Sequence, residues 1–141
     1  MQPFKLLILL TLGLSTSQLC HARTQSVTCH YTYGGETKDL VAHPVESPYE
    51  VPVTQVGSYF LLRVVWQTKT SPVRHAAVNI YTYADGNDGA VIIHQAEFPY
   101  PLSQSGRYGF TGLQRVYEPM RDGELLYWCE ADASTSRKAR R

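Results

Sequence analysis

Two cysteines, Cys29 and Cys129, constrain this chain more than any other feature, because they lie 100 positions apart, each within an alternating run of apolar and polar residues. In "VTCHYTY" the alternation puts Cys29, Tyr31 and Tyr33 on one face of a strand, with His30 and Thr32 on the other. In "ELLYWCEA" it aligns Leu125, Tyr127 and Cys129 against Leu126 and Trp128. A bond between the two thiols would staple the first strand to the last and hold the ends of the domain together. In the chain-entropy account, closing a loop of about 100 residues stabilises a fold by roughly 4–5 kcal/mol.

The N-terminus decides whether those thiols meet an oxidising environment. "MQPFKLLILLTLGLSTSQLCHA" places one Lys before an apolar run from Leu6 to Leu14, then small and polar residues, then Ala22, the pattern of a secretory signal peptide. The run is far shorter than the ~20 apolar residues that cross a bilayer, and no second one follows, so no transmembrane segment is expected. Cleavage after Ala22 leaves 119 residues starting at Arg23 and removes Cys20. A lipoprotein reading would acylate Cys20 instead, but Leu19 stands where a lipobox wants a small residue. The expected product is exported, periplasmic or extracellular, and its two remaining cysteines form a disulfide by default. Zinc would want a close-spaced second pair of ligands, and a catalytic thiol an unpaired Cys with a matched His.

Ten tyrosines and many Val, Ile and Thr, with no convincing amphipathic helix and no internal repeat, point to strands. "SYFLLRVVWQ" carries Phe60, Leu62, Val64 and Trp66 on one face and Tyr59, Leu61, Arg63 and Val65 on the other. That pattern predicts a central strand whose second face is partly covered. "DGNDG", Asp85 to Gly89, between two such runs, reads as a hairpin turn; as a calcium loop it lacks the ligands an EF-hand needs. In "AHPVESPYEVPV", Pro44, Pro48 and Pro52 predict a connector or a broken edge strand. The fold class is all-β: an antiparallel β-sandwich of about seven strands stapled by one disulfide, spanning residues 23–133. An immunoglobulin-like architecture is one option for it.

The Tyr two residues ahead of Cys129 resembles the last core strands of immunoglobulin domains. In that family, however, the cysteines sit closer together and a core Trp follows the first by about a dozen residues, whereas Trp66 lies 37 positions after Cys29. The resemblance implies only the sandwich architecture. A staple between first and last strands fits this chain better than the family's bridge through the inner core.

Chemistry is sparse. His30, His43, His75 and His94 remain after cleavage, and imidazole suits copper or zinc, but none forms a close pair at ligand spacing. His30, His75 and His94 are weak candidates for a metal-handling protein, the alternative function; His94 is expected to share a strand face with Ile92, Ala96 and Phe98. No G-x-S-x-G elbow and no convergent carboxylate pair appear, so no catalytic residue is assigned, no cofactor is expected, and an uncharacterised hydrolase ranks third.

The most unusual segment is "SGRYGFTGLQRVYEPMRDG", Ser105 to Gly123, which interleaves glycines with Tyr108 and Phe110 before Arg115 and Tyr117. Aromatic and Arg residues are enriched at binding hot spots, which makes Tyr108, Arg115 and Tyr117 the partner-binding candidates. The plainer reading is a long loop tucked against the core by Phe110, Leu113 and Tyr117. Residues 24–136 hold seven basic against twelve acidic residues, a balance of −5, while Arg137, Lys138, Arg140 and Arg141 make the end basic. Residues 134–141 are expected to be a disordered basic tail, able at most to make weak electrostatic contact with an anionic surface. The sequence thus predicts an exported, non-catalytic sandwich that binds or supports a protein or glycan partner, with no nucleic acid involved.

Overall fold

The computed structural model describes residues 24–68, 75–104, 106–118 and 120–133. The expected signal peptide, 1–22 with Cys20, and the expected disordered tail, 134–141, lie outside the described residues. Nine strands follow in order: β1 (Thr24–Tyr33), β2 (Glu36–Ala42), β3 (Pro44–Val45), β4 (Thr54–Val56), β5 (Phe60–Gln67), β6 (Ala77–Gly86), β7 (Gly89–Pro99), β8 (Gln114–Glu118) and β9 (Gly123–Ala133). They form two packed sheets, ordered β2-β1-β9-β8 and β3-β5-β6-β7, with β4 also paired to β5. The β-sandwich is therefore present. It has nine strands where about seven are expected, because the proline-rich connector contributes two short pieces to one edge of β5. β3 runs parallel to β5, Pro44 opposite Trp66, and β4 runs antiparallel, Thr54 opposite Leu62.

Turn chemistry sets the hairpins. Gly34 and Gly35 join β1 to β2 with φ of 60° and 81°, which suits the tight two-residue turns of hairpins. Asn87 and Asp88 join β6 to β7, between Gly86 and Gly89, as "DGNDG" predicts.

The core lies between the sheets and is built from the faces read off the alternation. Val27, Cys29, Tyr31, Leu125, Tyr127 and Cys129 are buried from one side, and Phe60, Leu62, Val64, Trp66, Val78 and Ile80 from the other. Burying a side chain of this size contributes about 1.5–3 kcal/mol each, which makes this double layer the main favourable term of folding. Val65, on the outer face of β5, is buried too, in line with a central strand covered on both sides.

Cys29 and Cys129 are bonded and face each other directly in the β1–β9 register, within one sheet rather than between the two. The local geometry explains how. Cys129 N–H donates to Thr111 Oγ1 at 2.8 Å, and its carbonyl accepts from Phe110 N–H at 3.0 Å, both on the side away from β1. Cys29 and Cys129 are therefore a non-hydrogen-bonded pair, the kind in which opposing Cα atoms come closest, here 4.0 Å. The segment ahead of β8 continues the ladder along β9: Gln104 Oε1 accepts from Ala131 N–H at 2.5 Å, and Gly109 bridges to Cys129. A side chain at Gly109 would place its Cβ 2.1 Å from the Cys129 carbonyl oxygen, and its φ is 57°.

Three expectations need correction. Residues 105–123 are not one long loop, since Gln114–Glu118 is a strand. Phe110 does pack on the core, edge-on to Phe98 at 5.4 Å, but Leu113 is 36 % and Tyr117 57 % exposed, so neither pins the segment. His94 and Ile92 do not share a face: the register runs Thr82–His94 and then Tyr83–Ile92, so a bulge at Ile93 turns Ile92 outward.

Candidate functional site

A groove of about 520 Å³ lies on the outer face of the second sheet. Its floor is made of cross-strand rows. Val65 pairs with Asn79, and Asn79 with Glu97; Arg63 pairs with Tyr81, and Tyr81 with Gln95; Tyr83 pairs with Ile92. Because alternate residues on a strand point the same way, the "RVVWQ" run delivers Arg63, Val65 and Gln67 to this face and the "NIYTY" run Asn79, Tyr81 and Tyr83, while their other residues fill the core. Tyr81 and Tyr83 lie with ring centres 6.4 Å apart along the floor. β7 supplies one wall through Gln95 and Glu97, and the opposite wall is a single 3-10 turn, Pro48–Glu50.

That turn is held down from two sides. The Ser47 hydroxyl accepts from Tyr49 N–H at 3.4 Å, and the Arg63 guanidinium donates through Nη2 to the Pro48 carbonyl. Tyr49 is left 87 % exposed at the rim. Arg63 Nε is buried and has no hydrogen-bond partner. A buried donor without a partner is poorly satisfied, and Arg63 is one of the residues that line the groove. The groove thus combines one fixed cation, one carboxylate, planar amides and tyrosines, a set suited to hydrogen-bonded and stacked recognition rather than to bond breaking.

The partner-binding candidates from the sequence lie elsewhere, on the outer face of the first sheet. Trp128 is central to that face: His30 stacks on it at 4.0 Å, and half-buried Tyr108 meets it edge-on at 6.0 Å. Arg115 and Tyr117 follow along β8 on the same face. Three of these residues have polar partners. Arg115 binds Glu124 at 3.0 Å, Tyr117 donates to Asp122, and His30 lies between Asp39 at 2.6 Å and Glu130 at 3.3 Å. Tyr108, Arg115 and Tyr117 thus share one face with Trp128, and two of them, Arg115 and Tyr117, are paired within that face.

The three histidines are not brought together. His30 is on the first sheet's outer face, His75 lines the groove, and His94 lies between the sheets, 2.7 Å from the Tyr127 hydroxyl. Burial holds the His94 imidazole below its usual pKa and pushes the Tyr127 phenol upward. No group of three or more His, Cys, Asp or Glu able to hold a metal occurs among the described residues.

A buried carboxylate, Glu118, is structural in its contacts. It accepts from Arg121 N–H at 2.8 Å and from the Tyr59 hydroxyl, while the Arg121 guanidinium lies over the Tyr59 ring at 4.3 Å. Burial pushes the Glu118 pKa up, but these hydrogen bonds to its ionised form outweigh burial and leave it below the ordinary value. The same contact and burial push the Tyr59 phenol up to about 12.

Arg63 was legible as an anomaly, a lone cation in an apolar run; the convergence of Asn79, Tyr81 and Gln95 on it depends on the pairing of three strands. No protein family, curated protein or solved structure matches this chain. Among the described residues no helix is long and apolar enough to cross a membrane.

Proposed function

We propose that this is an exported, non-catalytic binding module of the β-sandwich class, which takes an extended segment of a protein or glycan partner into the groove over β5, β6 and β7. The observation that carries this reading is a groove in which Arg63, whose buried Nε has no hydrogen-bond partner, is joined by tyrosines, planar amides, His75 and Glu97. Tyrosine rings offer stacking area at small entropic cost, and planar amides offer paired donors and acceptors. On the first sheet's aromatic face Arg115, Tyr117 and His30 are already paired, and that face ranks behind the groove. Export is supported by the signal-like N-terminus together with the disulfide.

The test is to screen the mature chain, residues 23–141, against a glycan array and a random peptide library, then to measure selected binders by calorimetry. Tyr83→Ala and Gln95→Ala should each weaken binding about tenfold or more with little change in melting temperature. Binders that tolerate both changes but lose affinity with Tyr108→Ala would move the site to the first sheet. A screen that yields none would end the reading.

A further inference from the structure

Each sheet of a sandwich exposes two edges, and proteins guard such edges because an unpaired backbone templates pairing with another chain. Three of the four edges here are guarded. β2 carries Glu36, Lys38 and Asp39, β8 is only five residues long, and the β3/β4 edge is broken by Pro44, Pro48 and Pro52. β7 is different. It is 11 residues long, ends its sheet with no strand beyond it among the described residues, and has no Lys or Arg. Val91, Ile92 and Ile93 on it are 62 %, 50 % and 37 % exposed. The bulge at Ile93 increases the local twist but leaves all three apolar side chains outside the core.

From this edge we infer that the protein is a homodimer, formed by antiparallel pairing of β7 with β7 of a second copy. The sequence of the edge suits its own reverse. About a dyad at Ile92, that residue faces its own copy, Val91 faces Ile93, and Ala90 faces His94. The one charged residue between Ala90 and Pro99, Glu97, then faces Asn87, so no like charges oppose each other. A different protein's strand would need no such self-match. Pairing about a dyad perpendicular to the sheet produces one continuous ten-stranded sheet with both outer faces on the same side. The two grooves, each walled by β7, would then open side by side, so that a repetitive partner could engage both at once. The dimer does not depend on what the groove binds.

Sedimentation velocity on residues 23–141, run from about 1 to 100 µM, should show a monomer–dimer equilibrium or a dimer throughout. The double variant Val91→Lys, Ile93→Lys should raise the dissociation constant about 100-fold or more, through like charges at the interface, while keeping the wild-type melting temperature of the monomer. Ile92→Cys should form an intermolecular disulfide across the dyad, whereas Thr37→Cys on the guarded β2 edge should not. A wild-type chain that is monomeric over the whole range would overturn the proposal. So would a dimer that survives both lysines, or one cross-linked through position 37 and not 92.

Discussion

At the scale of single residues, backbone geometry and burial set the sharpest constraints. Gly109 combines a positive φ with a Cβ position occupied by the Cys129 carbonyl, so Gly109→Ala should destabilise by about 1–3 kcal/mol from the strained conformation alone, and more from the clash. Urea denaturation of the pair would show it; an unchanged midpoint would mean that the strap along β9 is not tightly seated. His94 makes a pH-dependent contribution whose sign follows from its lowered pKa. The unfolded chain takes up a proton near pH 6.5 and the folded one only at lower pH, so the stabilisation is complete above 6.5 and is lost as pH falls through the folded pKa. The melting temperature should therefore fall faster with acidification in the wild type than in His94→Gln, measured between about pH 7.5 and 5.5. Parallel curves would show that His94 is solvated in the folded state.

At the scale of elements, residues 106–118 act as a strap and then a strand. Its anchors are unevenly placed. Phe110 packs on Phe98 at the core margin, and Thr111 caps the Cys129 N–H, whereas Leu113 stays 36 % exposed. Phe110→Ala should cost about 2–4 kcal/mol and Leu113→Ala no more than about 0.5 kcal/mol, read from chemical denaturation. Equal costs would mean that Leu113 buries surface in solution. The alternation of β8 explains why hydrophobicity alone misassigns the strap's anchors: Val116 and Glu118 take the inward phase, which forces Arg115 and Tyr117 outward. Glu118 is accepted inside because Tyr59 and the Arg121 N–H satisfy it.

At the scale of the whole molecule, the disulfide and the sheet order work together. β1 and β9 are central in the first sheet, so the Cys29–Cys129 bond ties the two chain ends across the middle of a layer rather than at a margin. Replacing both cysteines with Ala should lower stability by about 4–5 kcal/mol, because unfolding would release a loop of about 100 residues. Scanning calorimetry checks this; a small change would indicate that the reduced, unfolded chain stays compact. The open β7 edge and the groove lie in the other sheet, which carries no such tie.

The sequence by itself determined the elements and their inward faces. Cys29 with Tyr31, Phe60 with Leu62 and Val64, and Tyr127 with Cys129 are readable because strand alternation has a period of two and needs no knowledge of neighbours. The staple was readable too, since the expected leader cleavage would remove Cys20 and leave only two cysteines. What tertiary structure decided was every property that depends on which strand lies beside which. A one-residue bulge at Ile93 reverses the facing of Ile92, and no local pattern announces it. The groove needs Arg63, Tyr81 and Gln95, from three strands, to fall into one row, and the row exists only after pairing has fixed the register. The same holds for the edges: that β7, alone of the long strands lacking cationic guards, ends a sheet follows from strand order, which long-range pairing sets and local sequence does not.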